Sequence, residues 1–444
     1  MTERYVAVIQ AGGKGTRVRE LTQDKIPKPL MEINGKTMLE WQIENLIKNE
    51  IREIIIITGY LGDRIETYIG DGSKWEIKIS YIRETEPLGS AGALYYLKGR
   101  CSKDILLIFG DVMFDIDWER FIGFHEKMGG LATLLVHPNS HAQDSDLVVL
   151  DDDSKVLSFD YKNRIRDYFY ENCVNAGIYI LSAEVLERFS KVKKTDLEKD
   201  ILLPLIEEGK IYGYRTPEYV KDAGTPERFQ RVSREQREGI WNRKNLKNRQ
   251  ACVFLDRDGT VNRYQGLLYA EEQFELETGV AEAVRRLNEA GYLVILVTNQ
   301  PVVARGLCGI EDVKRIHRKM QVLLGEEGAY LDDIMFCPHH PDKGFSGENV
   351  LYKVSCNCRK PAIGMIAHAA EKYNIDLSQS FIIGDSTVDI QTGKNAGMRT
   401  ILLLTGQAGR DKKYDAAPDF TAENLMEAVT VVLKNESEIL EVTE

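Results

Sequence analysis

Asp256 and Asp258, in Asp256-Arg257-Asp258-Gly259-Thr260, directly follow the apolar run Cys252–Leu255. On an extended segment side chains two residues apart project to the same side. At the end of a strand the first carboxylate can attack phosphorus while the second handles the leaving-group proton. A different pattern stands near residue 10, where Gly12, Gly13 and Gly15 in Gln10-Ala11-Gly12-Gly13-Lys14-Gly15-Thr16-Arg17 follow the run Val6–Ile9. Glycines there let the backbone approach phosphate oxygens, and the N–H groups around Thr16 can donate to them. Lys28 stands between Pro27 and Pro29, so a cation sits on a stiff segment, and Arg17 can clamp the same polyphosphate with its two-pronged guanidinium. Asp111 follows the run Ile105–Phe109, and a carboxylate at the C-terminal end of a strand can hold a divalent ion, Mg²⁺, against phosphates. Cys337, His339, Cys356 and Cys358 supply three thiolates and an imidazole, the donor set of a closed tetrahedral zinc site with a structural role. His340 competes for the imidazole position, and His339 is the favoured ligand.

These groups need scaffolds, and the chain provides two. At 444 residues it exceeds one ordinary core. Short apolar runs alternate with helical patterns in both halves: Val6–Ile9, Ile54–Thr58, Ile105–Phe109 and Ile178–Leu181, then Cys252–Leu255, Leu293–Val297, Phe381–Ile383 and Thr400–Leu404. Met38–Lys48 and Val280–Ala290 repeat apolar residues at three- and four-residue spacing. Such alternation predicts an α/β protein with two domains, each a mostly parallel sheet flanked by helices. The boundaries are set at 1–232, a basic linker at 233–249, and 250–444. The basic run Arg228–Arg249 is expected to begin as a helix and end as a surface connector, and the chain to close with a helix from Leu425 and an acidic end.

A formal charge of -11 argues against nucleic acid as a partner, while leaving room for phosphorylated small molecules in local basic clusters. No stretch approaches the roughly 18 apolar residues of a membrane helix, and the opening has no apolar signal core. Seven cysteines, three of them between Cys337 and Cys358, fit a metal site in a reducing compartment better than a disulfide framework. The expectation is a cytoplasmic protein with no membrane association; oligomerisation is left open.

The glycine loop continues to Leu21-Thr22 and Pro27-Lys28-Pro29-Leu30, and at this point the sequence resembles the nucleoside-diphosphate-sugar pyrophosphorylases. Leu88-Gly89-Ser90-Ala91-Gly92 resembles the segment that lies against base and ribose in that family, which implicates Gly89 and Gly92. Asn175-Ala176-Gly177 resembles the segment that bonds sugar hydroxyls, which implicates Asn175 and Gly177. Asp222-Ala223-Gly224-Thr225-Pro226 resembles the family's D-x-G-T-P and makes Asp222 the second Mg²⁺ ligand beside Asp111. Relatives usually show F-x-E-K where this chain has Phe159-Asp160-Tyr161-Lys162. Lys162 can still meet the sugar phosphate, but Tyr161 replaces an acid that often contacts the sugar. The resemblance implies that a sugar 1-phosphate oxygen attacks the α-phosphorus of a nucleoside triphosphate and that pyrophosphate leaves. Positioning and charge neutralisation by Mg²⁺, Arg17 and Lys28 carry that chemistry.

Asp-x-Asp-Gly-Thr after an apolar strand resembles the haloacid dehalogenase superfamily, and three further signatures follow in order. Thr298-Asn299-Gln300 offers a hydroxyl and amides, Lys360 a cation, and Asp385 a Mg²⁺ carboxylate to join Asp256 and Asp258, with Asp389 in support. Cys-x-His with Cys-x-Cys-Arg-Lys-Pro resembles two zinc-loop groups, the histidinol-phosphate and the heptose 1,7-bisphosphate phosphatases. The long spacer from His340 to Ser355 looks like the heptose group, which implies that Arg359, Lys360, Asn299, Gln300 and Arg305 hold substrate. Val302 stands where relatives carry glycine, which stiffens that turn without removing a catalytic group.

The resemblances cover about residues 3–232 and 250–430. In series they imply removal of the 7-phosphate from D-glycero-D-manno-heptose 1,7-bisphosphate, then transfer of a nucleotidyl group to heptose 1-phosphate. GTP is the expected donor, so GMP is the group transferred. The alternative is a mannose or glucose 1-phosphate nucleotidyltransferase fused to a histidinol-phosphate-like or other sugar-phosphate phosphatase. A non-catalytic first half would have lost Lys28, Asp111 or Asp222, and all three are present.

Overall fold

The computed structural model describes residues 2–443, with side chains described for 3–434. The chain forms two compact units: Met1–His137, Asp146–Tyr161 and Cys173–Asn245 make the first, and Pro138–Ser145, Lys162–Asn172 and Leu246–Glu444 the second.

The first unit is built on a nine-stranded sheet. Its strands are β1 (Tyr5–Gln10), β2 (Glu53–Thr58), β3 (Lys78–Arg83), β4 (Asp104–Phe109), β6 (Ala132–His137), β7 (Leu147–Leu150), β8 (Val156–Asp160), β9 (Val174–Leu181) and β10 (Ile211–Arg215); β5 (Val112–Asp115) and β11 (Tyr219–Asp222) form a separate ladder. β4, β1, β2 and β3 are parallel neighbours. In the other half β10 pairs parallel with β6, while β9 runs antiparallel to β4, β6 and β7. Alternation along β1 shows why the sheet is central. Val6 and Val8 enter one apolar cluster, whereas Tyr5, Ala7 and Ile9 enter the cluster on the other face. Helix α1 (Met38–Lys48) has a reciprocal cap between Thr37 and Glu40 and buries Leu39, Ile43 and Leu46, and helix α2 (Trp118–Met128) buries Trp118, Phe121 and Ile122.

Residues 233–249 do not run as a bare surface connector. Helix α3 (Pro226–Arg237) begins the segment as expected, but Ile240 and Trp241 then turn inward and are each 6% exposed. The Trp241 ring stacks on Tyr219 at 5.2 Å and meets Trp41 edge-on at 5.5 Å. An apolar pair inside a basic run was enough to tie this stretch to the first unit's core.

The second unit carries a six-stranded sheet in which every pairing is parallel. Its order is β14 (Asp333–Cys337), β13 (Leu293–Asn299), β12 (Cys252–Leu255), β15 (Phe381–Gly384), β16 (Arg399–Leu403) and β17 (Phe420–Ala422). Helices α4 (Val280–Glu289), α5 (Ile310–Glu326), α6 (Gly364–Tyr373), α7 (Thr387–Ala396) and α8 (Leu425–Thr443) flank it. The side chains of the acidic end expected after Leu425 lie outside the described residues from 435 onward. Among the described residues no helix is long and apolar enough to cross a membrane.

Candidate active sites

In the first unit the parallel strands β1 and β4 deliver their motifs at the same edge of the sheet. Gly15 has φ +61, and a Cβ there would stand 3.1 Å from the side chain of Lys28, so the glycine admits both the left-handed turn and the close lysine. Lys28 is 8% exposed and donates to Asp111 Oδ2 at 2.7 Å. Asp222 pairs with Val112 in the β5–β11 ladder, and the Ala223 amide donates to the Asp111 carbonyl, so the two aspartates are neighbours through their backbones. Asp222 accepts from Arg228 and from the Gly224 amide, and Arg17 reaches the same glycine. Each expected metal carboxylate is therefore held by a cation, Asp111 by Lys28 and Asp222 by Arg228. Gly12, Gly13 and Thr16 form the turn between β1 and Arg17, with Gly13 and Thr16 exposed.

Gly89 has φ +82 and lies against Thr195, whose carbonyl accepts from Ala91, and the Gly89 carbonyl accepts from Gln10 Nε2. Gly92 is buried against Lys193. Asn175 Nδ2 donates to Tyr179 Oη at 2.8 Å and to Glu198 Oε1 at 2.7 Å, while its Oδ1 accepts from Gly177. Burial pushes the Glu198 carboxyl up, and the bond from Asn175 pulls it partly back. Lys162 is exposed and opens the excursion Lys162–Asn172, which belongs to the second unit.

In the second unit the C-terminal ends of β12, β13 and β15 bring Asp256, Thr298 and Asp385 to one edge of the sheet. Asp256 and Thr298 border a cleft of about 290 Å³ whose lining includes Asp258, Asn299, Arg305, Arg359 and Asp389. Lys360 is 5% exposed and donates to Asp256 Oδ1 at 2.7 Å and Asp389 Oδ1 at 2.6 Å. Burial alone would lower this lysine, but the two carboxylates outweigh it and hold it above the ordinary value. Asn299 fixes Lys360 from behind: its Oδ1 accepts from the Lys360 amide and its Nδ2 donates to the Lys360 carbonyl.

Asp256, Asp385 and Asp389 each offer a carboxylate oxygen within 4.8 Å of the others. Burial pushes Asp385 up to about 8 and Asp256 up to about 6, with the neighbouring acids adding and Lys360 opposing. Asp385 Oδ1 is buried without a hydrogen-bond partner. Three carboxylates around one lysine, with an orphaned oxygen, fit a divalent cation. Asp258, expected among these ligands, is turned elsewhere: both its oxygens accept from Arg257, and Oδ2 also accepts from Gln300. Arg257 was not singled out in the sequence, although an arginine alternating with two aspartates after a buried strand must turn a charge inward and find a partner. Glu198 and Arg228 carry no local signal of their own.

Cys337, His339, Cys356 and Cys358 form a second group that could hold a metal ion. Their sulfurs lie 3.2–3.5 Å apart, and His339 Nδ1 is 3.4 Å from Cys358 and 3.7 Å from Cys337. The edge of a zinc tetrahedron with bonds of about 2.3 Å is about 3.8 Å, so the cluster is nearly that size. His340 points away from it, accepting at Nδ1 from the Asp342 amide and lining the cleft.

The nucleotidyl transferase family model matches residues 6–239, and a HAD-hydrolase-like model matches residues 357–428. The chain is 42% identical over 150 residues to a D-glycero-beta-D-manno-heptose-1,7-bisphosphate 7-phosphatase of Rhodopseudomonas palustris, covering 34% of this chain and 81% of that protein. It is 40% identical over 159 residues to a D-glycero-alpha-D-manno-heptose-1,7-bisphosphate 7-phosphatase of Burkholderia mallei, covering 36% and 81%. A crystal structure of HddC from Yersinia pseudotuberculosis complexed with GMP-PN is similar at 27% identity and a TM-score of 0.46, covering 52% of this chain and 99% of that one.

Proposed function

The chain belongs to the nucleotidyl transferase family and to that of the heptose-1,7-bisphosphate 7-phosphatases, and from this premise we propose that it prepares a nucleotide-activated heptose in two steps. It is a nucleotidyltransferase joined to a HAD-type phosphatase, acting on small sugar phosphates and nucleotides. The second half removes the 7-phosphate of D-glycero-D-manno-heptose 1,7-bisphosphate. The first half joins the resulting heptose 1-phosphate to a nucleotidyl group, GMP from GTP, and releases pyrophosphate. The observation that carries the reading is the buried Asp256–Lys360–Asp389 triad in the lining of the cleft. The working division is transferase 1–232 and phosphatase 250–444, joined by 233–249, in a cytoplasmic enzyme.

In the phosphatase, an Asp256 oxygen forms a bond to phosphorus as the ester P–O bond breaks, and Asp258 gives its proton to the departing sugar oxygen. Water then attacks the aspartyl-phosphate, the Asp256 O–P bond breaks, and the proton returns to Asp258. Lys360 and Thr298 meet the charge on the phosphoryl oxygens, while Asn299, Gln300, Arg305 and Arg359 orient the sugar and its remaining phosphate. In the transferase, Lys28 and Arg17 hold the triphosphate over the glycine turn, and Asn175 and Gly177 hold the sugar. Asp256, Asp385 and Asp389 would hold Mg²⁺ in one site and Asp111 and Asp222 in the other, where it would supply positive charge against phosphate oxygens. Cys337, His339, Cys356 and Cys358 would hold Zn²⁺, which would stiffen the loop that ends at Arg359 and Lys360.

The test is a coupled assay with the heptose bisphosphate, Mg²⁺ and each nucleoside triphosphate in turn. The expected result is phosphate release followed by pyrophosphate release with GTP alone. Pyrophosphate with another nucleotide corrects the donor. Phosphate without pyrophosphate moves the transferase to another sugar 1-phosphate, and no phosphate release overturns the heptose reading.

A further inference from the structure

We propose that Arg257 and His317 form a positioning pair that fixes the direction in which Asp258 presents its proton to the leaving group. The inference rests on the reading of Asp258 as the proton donor.

Arg257 is fully buried, a rare place for a guanidinium with five N–H donors to satisfy. Its Nη2 donates to Asp258 Oδ1 and Oδ2, each at 3.0 Å, and to Gln300 Oε1 at 2.9 Å, while Nε reaches Oδ1 at 3.2 Å. Gln300 closes the ring by donating from Nε2 to Asp258 Oδ2 and to Thr298 Oγ1, both at 2.9 Å. The Asp258 carboxylate is gripped from two directions, yet its side chain keeps 20% of its surface exposed in the cleft beside Asp256. Its back is fixed and its front is open to substrate.

The remaining face of the guanidinium meets α5. Arg257 Nη1 is 3.4 Å from His317 Nε2, and His317 is 4% exposed with its ring edge-on to Phe336 at 5.4 Å. Burial, with Arg257 adding to it, holds His317 well below the ordinary imidazole value, so the ring is neutral and offers one acceptor nitrogen. That acceptor satisfies Nη1 without adding a second negative charge that would compete with Asp258 for the guanidinium. A buried charge pair is costly where packing alone is needed. Here the pair spends its geometry on the side chain whose direction matters, and it faces the carboxylate that Asp258 becomes once its proton has left.

The experiment compares two leaving groups in the full chain. An alkyl phosphate, the heptose bisphosphate or glycerol 3-phosphate, needs a proton on the departing oxygen; p-nitrophenyl phosphate releases a stable anion and needs little help. Asp258→Asn calibrates the split and should lose far more on the alkyl ester. His317→Phe, which strands Nη1, should lower kcat on the alkyl ester by about tenfold, a part of the 10²–10⁴ a placed acid contributes, and change the aryl ester by less than about twofold. His317→Gln, which restores a neutral acceptor, should recover most of the loss. Arg257→Lys, which keeps the charge but not the fork, should show the same split if His317→Phe folds poorly. Equal losses on both esters, no loss on either, or a glutamine no better than phenylalanine would overturn the pair. A split in Asp258→Asn without one in His317→Phe removes this inference alone. No split in Asp258→Asn removes the proton-donor reading and the inference with it.

Discussion

Replacing Lys360 by methionine isolates one cation in the phosphatase. The lysine makes two buried links, 2.7 Å to Asp256 and 2.6 Å to Asp389, with only 3% of its side chain exposed. At these distances each link is about 6 kcal/mol of Coulomb attraction in an effective dielectric of about 20. Desolvation of the buried ions takes back several kcal/mol apiece, which leaves a loss of about 3–5 kcal/mol when one partner of such a cluster is removed. Methionine fills the stem's volume, so little of this loss is cavity. With the same ammonium proposed to meet charge on the phosphoryl oxygens, kcat for phosphate release should fall by about 10²–10³. Both activities are measured on one preparation, phosphate from the bisphosphate and pyrophosphate from GTP with a sugar 1-phosphate, so the transferase is an internal control. Phosphatase kcat within tenfold of the parent, or an equal loss of pyrophosphate release, would refute the argument.

Lys28→Ala should reverse the pattern, since it removes the cation on Asp111 Oδ2: transferase activity should fall about 10²-fold with phosphate release unchanged, and a fall in both would contradict separate sites. Cys356→Ser should abolish the proposed zinc binding, read by elemental analysis against the parent, and lower the melting temperature of the second unit; full zinc stoichiometry would defeat the ligand assignment. His125 is buried with Nδ1 2.7 Å from Thr133 Oγ1, and burial lowers its pKa from 6.5. Its contribution to stability is complete above pH 6.5 and is lost as pH falls through the folded-state value, because the unfolded chain then binds the extra proton. His125→Asn should therefore flatten the loss of urea stability between pH 7.5 and 5.5, and an unchanged slope would exclude His125 as the cause. Trp241→Ala should destabilise the first unit by about 3–5 kcal/mol; an unchanged urea midpoint would mean that the tryptophan is a surface group after all.

Much of this protein is legible in short stretches of sequence, because the physics there is local. β12 is Cys252–Leu255, as its apolar run predicts, and α1 is Met38–Lys48, bounded by the Thr37 cap. Carboxylates after a strand and glycines in a turn follow from backbone period and φ alone. The Cys-x-His and Cys-x-Cys pairs need only one loop closure to meet, and the structure gathers all four residues.

What the sequence left undecided depends on partners far apart in the chain. That Asp389 rather than Asp258 joins Asp256 and Asp385 is fixed by Lys360 on one side and Arg257 on the other. His317 lies 60 positions from Arg257, and only the packing of α5 brings them together. Asn175 meets Glu198 in the same way, across 23 positions. In the joining segment the charges of Arg228–Arg249 masked two apolar residues whose burial against Trp41 and Tyr219 outweighed them. The sequence by itself determined which chemical groups stand at the strand ends, since that is set by residues within one turn of each other. Tertiary structure alone decided how those groups are aimed, because a side chain's direction is chosen by whichever buried charge or acceptor must be satisfied beside it.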